Sequence, residues 1–171
     1  MLKSYLIRNA TLLDEGHKHH SQQVDILITD GKIAEIGKEI KADAQLIEGE
    51  KLYVSRGWTD LRCHLTDPGH EQKDTLQTLL DTAAAGGFTS VVTLPNSEPA
   101  ITDKSAVNYL KNSSANHLVD VLPAGMLSAS SHAENLAELF DMYQTGAVAF
   151  TNGDGGLSNG LLKKALLYTK P

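Results

Sequence analysis

The sequence has little of several features that would assign it to a familiar class. It contains one cysteine, Cys63, so an internal disulfide is excluded and a reducing, cytoplasmic location is expected. It has no apolar run of about 18 residues, so no membrane-spanning helix is predicted. Its net charge is −6, whereas nucleic-acid-binding proteins carry basic patches. These features favour a cytoplasmic protein that binds neither membranes nor nucleic acids.

The first 56 residues have the pattern of short β-strands. A strand is predicted over 3–13, and apolar residues alternate with polar ones over 24–37 on both sides of Asp30-Gly31. Asp-Gly between two such runs is a strong signal for a β-hairpin. A further strand pair is predicted around Gly49, within 44–57. Residues 1–56 are therefore expected to form a small β-sandwich-like domain.

From residue 57 onward, strand patterns alternate with helix patterns. The strand candidates begin roughly thirty residues apart, which is the length of a βαβ unit; they are 58–65, 88–95, 118–126 and 146–151. Helices are predicted between and after them, over 72–85, 103–112, 131–146 and 158–170. This alternation predicts either a small doubly wound sheet or the first half of a (β/α)8 barrel, spanning 57–171.

The predicted helices carry capping and periodicity signals. Thr102 is a candidate N-cap, and Ser131 with Glu134 forms a candidate capping box. The predicted inward positions are Leu76, Leu79, Leu80 and Ala83 in the first helix, Leu136, Leu139, Phe140 and Tyr143 in the third, and Leu161, Leu162, Ala165 and Leu166 in the fourth.

The length of the second segment bears on which fold is complete. A whole (β/α)8 barrel needs about 250 residues, and 171 − 56 leaves 115 after Arg56. We therefore expect the chain to be part of a longer protein. Half a barrel has two open strand edges, so we expect poor solubility, homo-oligomerisation, or association with a missing C-terminal half.

Four motifs together resemble the dihydroorotases, a family of cyclic amidohydrolases. They are "ITDGKIAEIG", "GWTDLRCHLTDPG", "AAAGGFTSVVTLPNSEP" and "GAVAFTNGDG". The resemblance implies a small β domain followed by an amidohydrolase-type barrel. It also implies a zinc site of two histidines and a bridging aspartate, at which activated water attacks a cyclic amide.

The resemblance assigns family positions to individual residues, and three of them are replaced. Arg62 stands in place of the first metal-binding histidine, Thr66 in place of a substrate-binding arginine, and Asn152 in place of the bridging aspartate. The retained positions are Asp60, His64 (metal), Asp67-Pro68-Gly69 and Asn96 (substrate). Asp154 follows two residues after Asn152. No catalytic residue is assigned within this chain.

The replacements predict that the metal site has been dismantled. A guanidinium has no lone pair to donate, and at about 4 Å it would be repelled from Zn²⁺ by roughly 8 kcal/mol at an effective dielectric of 20. The resemblance then implies a catalytically inactive homologue with a structural role, as a partner of aspartate carbamoyltransferase in pyrimidine biosynthesis. The alternative is an active cyclic amidohydrolase with a variant, perhaps single-metal, site.

Structural interpretations stand beside these functional ones. His64 is interpreted as a core histidine in preference to a ligand, and Cys63 as a core residue. Asn96 fits a turn as well as it fits a binding site. Arg62 is expected to be buried and to pair with Asp60, Asp67 or Asp154. The histidine tract at 16–20 is interpreted as a solvated loop.

Overall fold

The computed structural model describes residues 4–130 and 135–169. The chain divides into two compact units, Met1–Arg56 and Gly57–Pro171. Each unit is described by itself below.

The first unit is a five-stranded sheet. Its strands are β1 (Tyr5–Leu13), β2 (Gln23–Thr29), β3 (Lys32–Gly37), β4 (Gln45–Ile47) and β5 (Tyr53–Ser55). β2 and β3 form the predicted antiparallel hairpin, with positive φ at both Asp30 and Gly31. The core of this sheet contains Leu12, Val24 and Ile26.

The prediction of a strand pair around Gly49 was wrong in its pairing. β4 and β5 both exist, but each pairs in parallel with β1, at different positions along it. The segment 45–55, which reads locally as a hairpin, therefore runs along β1 instead. β1 is nine residues long, so both short strands can pair with it along the same side.

The second unit is a parallel sheet in which strands and helices alternate. Its strands are β6 (Trp58–Cys63), β7 (Phe88–Thr93), β8 (Asp120–Met126) and β9 (Ala149–Thr151). Its helices are α1 (Leu76–Ala85), α2 (Lys104–Ser114), α3 (Leu139–Thr145) and α4 (Asn159–Tyr168). The strand order is β6-β7-β8-β9, all parallel. Neighbouring strands that follow the order of the chain are typical of a barrel. In doubly wound sheets, the strand order reverses at a switch point.

One apolar core joins α1, α2 and α3 to one face of this sheet. Its buried residues include Leu80 of α1, Val91 of β7, Leu110 of α2 and Met142 of α3. α1 and α2 each pack on the strand that follows them, β7 and β8, whereas α3 packs on β8, the strand that precedes it. Parallel βαβ units of this kind have right-handed crossovers as a rule.

The predicted starts of α1, α2 and α3 were wrong. α1 begins at Leu76, not at 72, because Thr75 and Thr78 form a capping box there. The N-cap of α2 is Asp103 rather than Thr102, since its carboxylate accepts hydrogen bonds from the amides of Ser105 and Ala106. The capping box predicted at Ser131 and Glu134 lies outside the described residues.

Two predicted helix faces were also wrong. α3 begins only at Leu139 and buries Leu139 and Met142, which leaves Phe140 and Tyr143 exposed about 100° further round the helix. In α4, Leu161 and Ala165 are buried, whereas Leu162 and Leu166 are exposed. The face predicted for α1 is confirmed, with Leu76 and Leu80 buried and Leu79 and Ala83 packed beside them. Among the described residues, no helix is long and apolar enough to cross a membrane.

Candidate functional site

The carboxyl ends of β6, β7, β8 and β9 lie together at one end of the parallel sheet. We call this end of the sheet the mouth. In barrels of parallel strands, active sites are built from the loops at this end. All the residues singled out by the resemblance lie in these loops or on the last residues of the strands.

An ion pair crosses the mouth from β6 to the loop after β9. Arg62 Nη2 lies 2.6 Å from Asp154 Oδ1, and the Arg62 amide donates a 2.8 Å hydrogen bond to Asp60 Oδ1. The expected pairing of Arg62 with a neighbouring acid is thus confirmed for Asp154. The expectation that Arg62 is buried was wrong, because the two side chains are 62% and 65% exposed. An exposed pair of this kind contributes about 0–1 kcal/mol to stability.

Asn152 is a buried polar side chain at the mouth, with 7% of its surface exposed. Its Oδ1 accepts a hydrogen bond from Ser128 N (3.2 Å), and its Nδ2 donates to Gly156 O (3.3 Å). Its Oδ1 also lies 3.1 Å from Ser128 Oγ, which has a single proton to donate and lies 2.6 Å from Ser130 O. The amide thus joins the end of β8 to the loop after β9. A side chain with one acceptor and one donor fits these partners.

The loop after β6 is closed by two side chains at family positions. Thr66 Oγ1 donates a 2.6 Å hydrogen bond to Asp74 O. Asp67 Oδ2 accepts a 2.9 Å hydrogen bond from Leu76 N, which is one of the free amides at the start of α1. Thr66 and Asp67 therefore fix the loop that leads from β6 into α1.

The same loop is attached to the loop after β7. Glu98 N donates to Pro68 O at 2.9 Å, and His70 Nε2 lies 3.6 Å from Glu98 Oε2. Gly69 adopts a φ of +113°, and a Cβ there would lie 2.5 Å from Glu98 Cβ and 2.6 Å from Glu98 O. Glycine is required at this position both by its conformation and by the close approach.

Asn96 lies in the loop after β7 and is exposed. Its Nδ2 donates to Asn152 O at 3.5 Å, at the distance limit of a hydrogen bond. Gly153, with a φ of +60°, passes so close that a Cβ there would overlap the Asn96 side chain. The loops after β7 and β9 therefore meet at Asn96, and its predicted substrate-binding role stays a prediction.

His64 and Cys63 end β6 on opposite sides. His64 lies one residue past the strand and is exposed, so its interpretation as a core histidine was wrong. Cys63 packs against the core, as expected. Burial, with smaller contributions from Asp60 and Asp74, raises the pKa of the Cys63 thiol. A raised thiol pKa makes Cys63 a poor nucleophile and a poor metal ligand at neutral pH.

The residues at the mouth do not fit the zinc ion that the resemblance implies. Within residues 4–130 and 135–169, no three His, Cys, Asp or Glu side chains are arranged to hold a metal ion. In the histidine tract at 16–20, ring nitrogens are engaged in local contacts. His17 Nδ1 accepts a hydrogen bond from His19 N, and His19 Nδ1 lies 3.1 Å from Gln22 Oε1. His64, the retained family ligand, belongs to no such group among those residues.

The sequence reasoning did not identify Ser128 as part of this site. Ser128 is 1% exposed, and its backbone N–H donates to Asn152 Oδ1 while its hydroxyl lies between Asn152 Oδ1 and Ser130 O. The only local signal was its position, since it follows the end of β8 in "AGMLSASS". Its partner lies 24 residues away and becomes a neighbour only through the pairing of β8 with β9.

The fold assigns this chain to the (β/α)8-barrel class, of which it forms half. Its polar residues lie at the carboxyl ends of the strands. A family model described as "Dihydro-orotase-like" matches residues 51–166. The chain belongs to this family.

Curated relatives share this assignment. The dihydroorotase of Geotalea daltonii is 39% identical over 168 residues, which are 96% of this chain and 39% of the relative. That of Syntrophotalea carbinolica is 38% identical over 169 residues, again 96% of this chain and 39% of the relative. The chain therefore spans about two fifths of the length of these relatives.

Solved structures show the same fold. An L-hydantoinase (dihydropyrimidinase) from Arthrobacter aurescens superposes with a TM-score of 0.70 at 23% identity, over 96% of this chain and 38% of that protein. A dihydroorotase crystal structure superposes with a TM-score of 0.62 at 16% identity, over 95% of this chain and 47% of that protein. The amidohydrolase-type barrel expected from the sequence is thereby confirmed.

Proposed function

We propose that this chain comes from a dihydroorotase-like protein of pyrimidine biosynthesis that has lost catalysis and acts in a structural role. The observation that carries the proposal is the contact between Arg62 and Asp154 at 2.6 Å. Arg62 stands where the family has a metal-binding histidine, and Asp154 is the carboxylate nearest in sequence to the replaced bridging position. The guanidinium removes one ligand and pairs with the acid closest in sequence to the position of another.

The surrounding contacts support the same proposal. Thr66 and Asn152, at two other family positions, are engaged with Asp74 O, Ser128 and Gly156 O. Both are neutral side chains with structural partners. Neither offers the charge that a substrate carboxylate or a metal pair requires.

A chimera tests this proposal. The segment of the Geotalea daltonii dihydroorotase that matches this chain is replaced by the 171 residues, so that the rest of the relative supplies the remaining barrel. We expect the purified chimera to hold no stoichiometric zinc and to show no hydrolysis of dihydroorotate. Both are measured on the same preparation, by elemental analysis and by an absorbance assay.

The matched control is the same chimera with Arg62→His, Thr66→Arg and Asn152→Asp. Recovery of zinc and turnover in the control would show that the chimeric barrel folds and that these three positions account for the loss. Zinc and turnover in the unaltered chimera would instead support the alternative function, an active cyclic amidohydrolase in which retained residues such as His64 and Asn96 operate a variant site.

The proposed structural role needs a partner, and the resemblance implies aspartate carbamoyltransferase in the cytoplasm. Support for this partner comes from the resemblance alone. Co-expression of the full-length protein with that enzyme, followed by size-exclusion chromatography, tests it. Elution in one complex is expected, and separate elution at micromolar concentrations would argue against the partnership.

A further inference from the structure

The chain contains two Asn-Gly steps, Asn152-Gly153 and Asn159-Gly160. In such a step the backbone nitrogen of the glycine can attack the side-chain amide of the asparagine, because glycine has no Cβ to hinder the approach. The attack requires an unpaired backbone nitrogen, an accessible side-chain amide and a backbone that can rotate. The two steps differ in these respects.

Asn152-Gly153 is held in place at both reacting groups. The Asn152 side chain is 7% exposed, accepts a hydrogen bond from Ser128 N and donates one to Gly156 O. The Gly153 amide donates to Thr151 Oγ1 at 3.0 Å. The nucleophile and the electrophile of this step are therefore both engaged in other contacts.

Asn159-Gly160 lies at the start of α4, and both of its residues are exposed. Ser158 Oγ accepts from Leu161 N at 3.2 Å. The Gly160 amide, one of the first four of the helix, has no acceptor within residues 4–130 and 135–169. A Cβ at Gly160 would meet nothing within 4 Å, and helix ends fray at little cost in free energy. This step therefore has the freedom that the reaction requires.

We propose that Asn159 is a site of spontaneous deamidation, with water as its co-reactant. Gly160 N attacks Asn159 Cγ, so that a new C–N bond forms and the bond from Cγ to Nδ2 breaks. The proton of Gly160 N passes to the departing nitrogen, which leaves as ammonia. Water then adds to one of the two carbonyls of the cyclic imide and reopens the ring to aspartate or isoaspartate. Nothing is oxidised or reduced.

The two products have different effects on α4, which has no acidic residue in its first turn. Aspartate at position 159 would place a negative charge at the amino end of the helix, where the helix dipole favours it. Isoaspartate would add a methylene group to the main chain and disrupt the first turn. The modification is independent of whether the protein catalyses a reaction.

Incubation of the purified, folded chain in heavy-oxygen water at mildly alkaline pH is the test. Fragment-ion mass spectrometry follows the change from amide to acid at each asparagine. We expect Asn159 to convert and to gain one heavy oxygen. Because three hydrogen bonds must open first at Asn152-Gly153, we expect the rate there to be about 100-fold lower.

A sample unfolded in urea supplies the reference, since both steps should convert at similar rates without the fold. Two results with the folded chain would overturn the proposal. One is an intact Asn159 after the unfolded sample has converted at that position. The other is equal rates at Asn152 and Asn159.

Gly160→Ala tests the attacking atom. The new Cβ has open space and suits a helix, so the fold is kept, and we expect loss of conversion at Asn159. Gly156→Ala is the matched control, because a Cβ there also meets nothing within 4 Å and the position does not follow an asparagine. Conversion at Asn159 as fast in Gly160→Ala as in the parent would refute the attack by Gly160 N.

Discussion

Replacing Asn152 by aspartate would restore the acid of the family at this position, and the structure predicts that this change destabilises the chain when no metal is bound. The hydrogen bond from Ser128 N to Oδ1 can persist. The new Oδ2, however, would face Gly156 O at about the present 3.3 Å, where Nδ2 now donates. Two acceptors would oppose each other in a site that is 7% exposed.

The expected cost follows from these contacts. The lost hydrogen bond leaves Gly156 O unpaired, which costs about 1–3 kcal/mol, and burial of a carboxylate adds to this, offset in part by the Ser128 amide. We expect Asn152→Asp to lower the free energy of unfolding by about 2–4 kcal/mol at pH 7. Urea denaturation followed by circular dichroism measures it.

The pH dependence gives the sharper check. The opposed acceptor raises the folded-state pKa of the new carboxyl above its unfolded value, so the folded variant binds the extra proton more readily. The protonated carboxyl can donate to Gly156 O, and the deficit relative to the parent should shrink as the pH falls toward 4. Asp154→Asn, an exposed change at the same loop, should cost less than 1 kcal/mol. An Asn152→Asp variant as stable as the parent at pH 7 would refute the reasoning.

Three further predictions concern stability, each measured by urea denaturation. Thr93→Val should stabilise the chain by about 1 kcal/mol, because the buried Thr93 Oγ1 has no hydrogen-bond partner among the described residues. Gly69→Ala should destabilise it by about 2–3 kcal/mol, because the new Cβ would meet the Glu98 backbone at a positive φ. Asp81→Asn should flatten the acid limb of the stability curve. The hydrogen bond from His117 lowers the pKa of Asp81 below its usual value, so this stabilisation is present above pH 4 and is lost as the pH falls through the folded-state pKa.

Matched controls separate these causes from general effects of substitution. Thr89 lies on the same strand as Thr93 but is exposed, so Thr89→Val should leave the free energy of unfolding nearly unchanged. Gly87→Ala has a φ of +82° and open space around its Cβ, so it carries conformational strain without a clash and should cost less than Gly69→Ala. Parallel stability curves for Asp81→Asn and the parent below pH 4 would contradict the third prediction.

Local sequence signals predicted the elements whose structure is determined locally. The hairpin at Asp30-Gly31 and the inward face of α1 followed from turn chemistry and from helical spacing. The pairing of β4 and β5 with β1 could not be predicted in this way, because it depends on strands brought together across about forty residues. The prediction of the buried face of α3 was wrong because the helix begins at Leu139, later than the periodicity of the sequence indicated.

In the candidate site too, features determined by local sequence could be predicted, and features that depend on distant contacts could not. The set of acids near Arg62 was small, so its partner could be anticipated from the order of the strands, although the choice of Asp154 required the loop after β9. The exposure of Arg62 and His64 could not be anticipated, because the expectation of burial assumed a closed barrel. Ser128 was missed because its importance lies entirely in its contact with Asn152.

The replaced residues at the mouth have structural roles in this chain. Thr66 and Asn152 differ from the residues of the family, yet each makes hydrogen bonds that hold the loop in which it lies. Asp67, which is retained, caps the start of α1. Restoring a single ancestral residue therefore breaks a structural contact before it can return a function. Zinc would compensate only when Arg62 no longer repels it, which is why the triple reversion, and not any single one, is the informative variant.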